Sequence, residues 1–249
     1  TMNYKLLLDT AVAAGELMLE NGAETYRVED TMHRILSLSR LQTAEVFVTM
    51  TGFVATLDDP SIHSMTVVRR ITNRSTNLDM IDRLNTLSRK LCTGELELEE
   101  AFRQVKVLKE HPWKPGAFLI STPVVTAAFA LTYGGSLSEA FVSALTGLIT
   151  AVCLYACSRL RVQSFFGTLL SAAAASMLAS GFFRVFPGAG SLDAVVIASI
   201  MPLVPGVAIT NAVFDTLHGD YLSGTARMLE AFVTAAAAAM GIGIGLGVG

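Results

Sequence analysis

Apolar positions follow two different rules along this 249-residue chain. Up to about residue 112 they recur at helical or strand periods among charged side chains; from Gly116 onward they merge into long runs almost free of charge. Five such runs, near 116–133, 138–158, 164–183, 192–210 and 226–247, each hold roughly 17 to 22 residues, enough for a helix to cross about 30 Å of hydrocarbon. The pattern predicts an α-helical membrane protein with five transmembrane helices, preceded by a small α/β cytoplasmic domain. The expected division is 1–112 for that domain and 113–249 for the membrane part.

Within the first part, Leu6, Leu7, Val12, Ala14, Leu17 and Met18 recur at helical spacing and stop at Asn21-Gly22, which predicts a helix over about 3–21. A second, over about 24–39, carries Val28, Met32, Ile35 and Leu36 on one face. The period then falls to two. Glu45 to Leu57 reads as one strand with apolar residues on both faces and Gly52 as a bulge, followed by a turn at Asp58-Asp59-Pro60 and a second strand over Ser64–Ile71. Helices over about 78–92 and 97–110 complete the domain. His111-Pro112-Trp113-Lys114-Pro115-Gly116 marks the boundary, with prolines ending the preceding helix and Trp113 and Lys114 suited to a membrane surface.

Composition sharpens the division. Thirteen of the 18 Lys and Arg residues, and 16 of the 21 Asp and Glu, precede residue 113. The net charge is −3 and no basic stripe interleaves with aromatics, so nucleic acid is not expected as a partner. Three cysteines form no even disulfide framework and suit a reducing compartment. Asp9 and Glu16 interrupt the first apolar helix, so it does not read as a signal peptide. Lys106, Lys109, Lys114, Arg159, Arg161 and Arg227 fall on one side of the expected spans and Arg184 on the other, which places the N-terminal domain in the cytoplasm and the C-terminus outside.

The fourth run contains Pro202-Leu203-Val204-Pro205-Gly206, which cannot form an unbroken helix. Prolines remove backbone donors and free carbonyls for a polar solute. Asn211, Asp215, His218, Asp220 and Arg227 follow, with acids able to exchange protons or hold an ammonium group. One reading is a half-helix solute site; the other is a kinked helix entering a loop where Asp215, His218 and Asp220 are solvated. Glu230 lies one turn into the last run, where its carboxylate must meet water, protein or Arg227. Glu139 and Asp193 read as caps at span ends. Gly241, Gly245 and Gly249 bare one helical face, for packing within the chain or against another subunit.

In the soluble part, Glu24, Arg27 and Glu29 crowd a helix start, either as a binding cluster or as charges paired within the turn. His33, His63 and His111 have no metal-ligand spacing, and no nucleophile elbow, phosphate loop or dinucleotide fingerprint occurs, so neither metal nor cofactor is expected.

Gly22-Ala23-Glu24 with Arg27-Val28-Glu29, the stretch Gly52-Phe53-Val54-Ala55-Thr56-Leu57, and Pro205-Gly206 followed by Asp215, Gly219-Asp220, Gly224 and Arg227 together resemble the threonine/serine exporter family. The resemblance covers nearly the whole chain. It implies a bacterial inner-membrane, multi-pass exporter component moving small polar metabolites, threonine and serine or dicarboxylates such as succinate, driven by the proton gradient. The expected solute site is Pro205, Gly206, Asn211, Asp215 and Asp220, with Asp215, Asp220 and Glu230 as proton-coupling groups. Longer members carry a second membrane block, so the resemblance also implies a separate small membrane subunit or a homo-oligomer. The alternatives are a membrane-tethered hydrolase using the Glu24, Arg27 and Glu29 cluster, and a regulatory or assembly subunit that carries no solute.

Overall fold

The computed structural model describes residues 2–110 and 115–249. The expected boundary residues His111, Pro112, Trp113 and Lys114 lie outside the described residues. The chain forms two compact units: Thr1–Pro112 with Val207–Met228, and Trp113–Gly206 with Leu229–Gly249.

The first unit contains helices α1 (Tyr4–Glu20) and α2 (Thr25–Ser37), strands β1 (Thr43–Thr49), β2 (Gly52–Asp58) and β3 (Met65–Arg70), and helices α3 (Leu78–Thr93) and α4 (Leu98–Glu110). Asn3 caps α1 by accepting from the Leu6 N–H at 3.0 Å, and Asn77 caps α3 through the Met80 N–H at 3.1 Å. The sheet is antiparallel in the order β1-β2-β3. The single strand expected over Glu45–Leu57 is instead a hairpin, turning at Met50-Thr51 with Thr49 opposite Gly52. This turn explains the apolar residues on both faces of the sequence pattern. It reverses the strand direction, so the even positions Val46 and Val48 share a face with the odd positions Phe53 and Ala55, their partners in the ladder. That face is buried, whereas Phe47 on the other is 62% exposed. Gly52 is needed for close approach rather than for a bulge, since a Cβ there would stand 2.3 Å from the Arg69 carbonyl oxygen on β3. The core joins Leu7, Leu8 and Met18 of α1, Met32 and Ile35 of α2, Leu57 of β2 and Leu84 of α3.

The second unit contains α5 (Pro115–Thr132), α6 (Leu137–Arg159), α7 (Ser164–Val185), α8 (Leu192–Ile200), a 3-10 turn at Met201–Leu203, and most of the last helix. Its packing inverts that of the first. Inside are Ala130, Ser143, Thr146, Ala151, Ala175, Ser176 and Ala198, while Ile120, Phe141, Phe166 and Leu170 point outward. An apolar solvent gives no reason to hide large side chains, so small residues occupy the helix contacts and let backbones approach. Hydroxyls tie the helices: Thr126 donates to the Ser143 carbonyl at 2.7 Å, and the hydroxyls of Thr146 and Ser199 meet. Ser136 and Glu139 form a capping box at the start of α6, and Glu139 also accepts the Ser191 N–H at 2.6 Å, so Glu139 is a cap.

Among the described residues, α6, α7 and α10 (Tyr221–Val248) are long and apolar enough to cross a membrane. A fourth candidate is a broken pair, Leu192–Leu203 with α9 (Gly206–Leu217), interrupted at Val204-Pro205. The remaining expected span, 116–133, corresponds to α5, which is apolar but shorter. The glycine face of the last helix is covered within the chain. A Cβ on Gly241 would stand 2.3 Å from the Leu169 carbonyl oxygen, and one on Gly245 2.1 Å from Ser176 Oγ, both on α7.

Candidate functional site

Two stretches far apart in the chain meet inside the first unit. One is the loop Asn21-Gly22-Ala23-Glu24 leading into α2; the other is the hairpin of α9 and the first two turns of α10.

The hairpin's shape is local in origin. At the end of α9 the Gly219 N–H donates to the Thr216 carbonyl at 3.1 Å and the Asp220 N–H to the Asp215 carbonyl at 2.9 Å, the paired bonds of a Schellman stop. Gly219 has φ +89°, which a glycine adopts without strain. Asp220 then caps α10, its Oδ1 accepting the Ser223 N–H at 3.0 Å. Gly224 lets α10 press on α9: a Cβ there would overlap Thr216 Oγ1 at 2.2 Å. Spacing of four residues puts Asn211 with Asp215 on one face of α9, and Ser223 with Arg227 on one face of α10.

Those faces grip the loop. Asn211 Nδ2 donates to the Gly22 carbonyl at 2.8 Å, and Arg227 Nη2 to the Ala23 carbonyl at 2.8 Å. The Thr25 N–H and hydroxyl both reach Asp215 Oδ1, at 3.0 and 2.8 Å, and the same hydroxyl lies 2.8 Å from Asp220 Oδ2. Glu24, the residue in the N-cap position of α2, makes no side-chain cap bond. Asp215 takes over that role from 190 residues away, setting a carboxylate against the positive end of the helix. Ser223 Oγ accepts the Met50 N–H at 3.2 Å, joining the β1-β2 turn to α10. The Tyr26 and His218 rings stack with centroids 3.8 Å apart.

At the centre, Arg227 Nε stands 2.8 Å from Asp215 Oδ2. The aspartate is fully buried and Arg227 nearly so. The pair is electrostatic: the Nε–H direction misses the oxygen, and neither atom completes a hydrogen bond.

A family model described as "Putative threonine/serine exporter" matches residues 9–249. The chain belongs to the threonine/serine exporter family. A curated relative, named "Probable threonine/serine exporter", from Mycobacterium tuberculosis (strain ATCC 25618 / H37Rv), is 23% identical over 241 residues, covering 94% of this chain and 45% of its own length. The chain therefore spans about half the length of that relative. No solved structure matches.

In this exporter-family chain, the expected solute-site residues do not all converge. Asn211, Asp215 and Asp220 come together, and Asp215 is not the solvated loop residue of the alternative reading. Gly206 begins α9, nine residues or about 14 Å of helix before Asp215, and Pro205 precedes it. Arg227, considered as a partner for Glu230, is committed to Asp215, and Glu230 is exposed. The Glu24, Arg27 and Glu29 cluster also divides. Arg27 pairs with Glu24 at 3.3 Å within the first turn, and Glu29 accepts the Val48 N–H of β1 at 3.2 Å. Arg27 further lines a cleft of about 240 Å³ with Asp30, Arg34 and Arg89. Thr25 is not among the expected site residues, because a lone hydroxyl carries no periodic or spacing signal. The neighbouring Gly22-Ala23-Glu24 pattern was the available pointer to Thr25.

Proposed function

We propose that this chain is the solute-handling component of an inner-membrane exporter for threonine- and serine-like amino acids, coupled to protons. The observation that carries the reading is the Thr25, Asp215, Asp220 and Arg227 constellation. Asp215 pairs with Arg227 and Asp220 joins it at the Thr25 hydroxyl, so these three charged groups hold one negative charge more than positive when both acids are ionised. That excess favours a solute with an ammonium group and disfavours a dicarboxylate such as succinate.

Hydrogen-bond counting supports proton coupling. The Thr25 hydroxyl lies 2.8 Å from both Asp215 Oδ1 and Asp220 Oδ2 but has a single proton to give. It can serve only one of them at a time, and Asp215 already faces Arg227 and accepts the Thr25 N–H, so the proton-exchanging role is assigned to Asp220. A solute that displaces Thr25 then changes the proton's surroundings, as coupling requires.

The five-span reading, with the N-terminal domain cytoplasmic, has a parity argument in its favour. The α9-α10 hairpin touches Thr25, so it lies on the same side of the bilayer as the N-terminal domain. An even number of crossings must separate them. With α6 and α7 crossing, α5 and the stretch beginning at α8 either both cross or both do not, and their apolar character favours crossing. Exposed Arg159 and Arg161 at the α6-α7 turn then mark the cytoplasmic face. Association with a small membrane subunit or a second copy belongs to the same reading, as does the absence of any catalytic role; family membership weighs against the hydrolase and the silent subunit.

The test is counterflow in vesicles made with the purified protein, comparing labelled L-threonine and L-serine with succinate. Threonine and serine should exchange and succinate should not. Exchange of succinate alone would reject the amino-acid assignment.

A further inference from the structure

Building on the exporter reading, we infer that the Ala23–Thr25 segment is a tethered stand-in for the solute: its polar groups occupy the positions that the ammonium, hydroxyl and carboxylate of free threonine or serine take during transport.

The correspondence is chemical and runs group by group. Asp215 Oδ1 receives a nitrogen-borne proton from the Thr25 N–H at 3.0 Å, where a free amino acid would offer an ammonium. The Thr25 hydroxyl bridges Asp215 Oδ1 and Asp220 Oδ2 at 2.8 Å each, and the solute hydroxyl would make the same bridge. Arg227 Nη2 donates to the Ala23 carbonyl at 2.8 Å. A carboxylate there would accept a stronger, charge-assisted bond. Free threonine presents all three groups with a positive charge for Asp215 and a negative one for Arg227, whereas the Thr25 N–H and the Ala23 carbonyl that hold those places are uncharged.

The buried pair keeps capacity in reserve. Asp215 Oδ2 and Arg227 Nε are both buried and lack hydrogen-bond partners, although only 2.8 Å apart. A zwitterion entering between them could supply a donor to one and an acceptor to the other. Among the described residues, the side-chain cap of α2 in the occupied state comes from Asp215, because Glu24 makes none. Displacing Thr25 thus releases the first turn of α2, which ties solute entry to movement of that helix.

The same geometry sets selectivity. An amino acid of the same shape without a hydroxyl, such as L-valine, would leave the Asp220 side of the bridge unfilled. A site built to hydrogen-bond a hydroxyl rejects such an analogue far more strongly than an apolar pocket rejects a methylene.

The test compares wild type, Thr25→Val and Thr25→Ser in vesicle counterflow of L-threonine. Removing the tethered hydroxyl removes a competitor, so Thr25→Val should lower KM roughly tenfold, the factor expected when a competing closed state holds about nine-tenths of the population. Thr25→Ser keeps the competing hydroxyl, so its KM should stay well above that of Thr25→Val. An unchanged or raised KM in Thr25→Val, with wild-type counterflow intact, overturns this inference and leaves the exporter reading standing. No wild-type counterflow of any amino acid rejects both. A second measurement needs no variant: hydrogen exchange at the amides of residues 25–28 in the wild-type protein. Saturating L-threonine should accelerate it and L-valine should not; exchange unaltered by L-threonine, or accelerated equally by L-valine, overturns the inference.

Discussion

Asp215 and Arg227 form a buried ion pair 2.8 Å apart, on the two arms of a helical hairpin whose turn is only three residues long, His218 to Asp220. Each also holds the same distant loop, Asp215 through Thr25 and Arg227 through Ala23. The pair is thus the point where the C-terminal hairpin and the start of α2 become one structure.

Removing one charge should therefore cost more than an ordinary surface change. Asp215→Asn leaves Arg227 buried without its counter-charge, and such losses run to about 3–5 kcal/mol. Thermal unfolding in detergent should show a marked drop in Tm, with the double variant Asp215→Asn, Arg227→Gln recovering part of it. A single variant within about 1 kcal/mol of wild type would mean that the pair contributes no more than an exposed one.

Asp220 should separate coupling from exchange. Asp220→Asn keeps size and the ability to accept from Ser223 N–H, but cannot shuttle a proton. Export against a threonine gradient should fail while threonine counterflow survives. If both persist at wild-type rates, the coupling group lies elsewhere, with Glu230 next to be changed.

Orientation is open to cysteine labelling on a background lacking Cys92, Cys153 and Cys157. Leu160 is 76% exposed in the α6-α7 turn. Leu160→Cys should be reached by a membrane-impermeant thiol reagent only from the cytoplasmic side, and Val248→Cys only from outside. The opposite pattern would invert the topology.

Glu20, at the end of α1, gives a pH signature for the first unit. Burial, and then the neighbouring Glu16 carboxylate, push its pKa above the ordinary 4.5, with Lys109 acting in the other direction. A raised carboxyl pKa means that the fold favours the protonated form. That contribution to stability is complete below about pH 4.5 and is lost as pH rises through the raised value. Glu20→Gln removes the dependence, so the variant should gain on wild type as pH climbs from 4.5 and then hold a constant lead. Parallel stability curves across that window would contradict the assignment.

Gly245 tests the last helix. A side chain there meets Ser176 Oγ at 2.1 Å and the Ala173 carbonyl oxygen at 2.4 Å, so Gly245→Leu should destabilise the α7-α10 contact by at least the 1–3 kcal/mol typical of overpacking. Native mass spectrometry should show the oligomeric state unchanged while Tm falls. Loss of an oligomer at constant Tm would return this face to a subunit interface.

Much of this architecture is written in local patterns. Uninterrupted apolar runs specify α6, α7 and α10 because a helix in hydrocarbon must satisfy its backbone within itself, and Pro205 dictates the break because it has no N–H to give. Gly219-Asp220 encodes a helix stop followed by a helix start, and periods of four residues already align Asn211 with Asp215 and Ser223 with Arg227. The hairpin turn at Met50-Thr51 was not legible, since neither residue is a turn former; the ladder pairing Val48 with Phe53 decides it. Nor could sequence distinguish a solvated Asp215 from a buried one. Its ionic partner lies 12 residues on and the helix it caps begins 190 residues earlier, and whether a carboxylate is expensive or anchored depends on what surrounds it in space. Local chemistry determined which groups were available; only tertiary structure decided that Thr25 occupies the acids and that α7 covers the glycine face, because burial and long-range pairing belong to the packed chain rather than to any window of it.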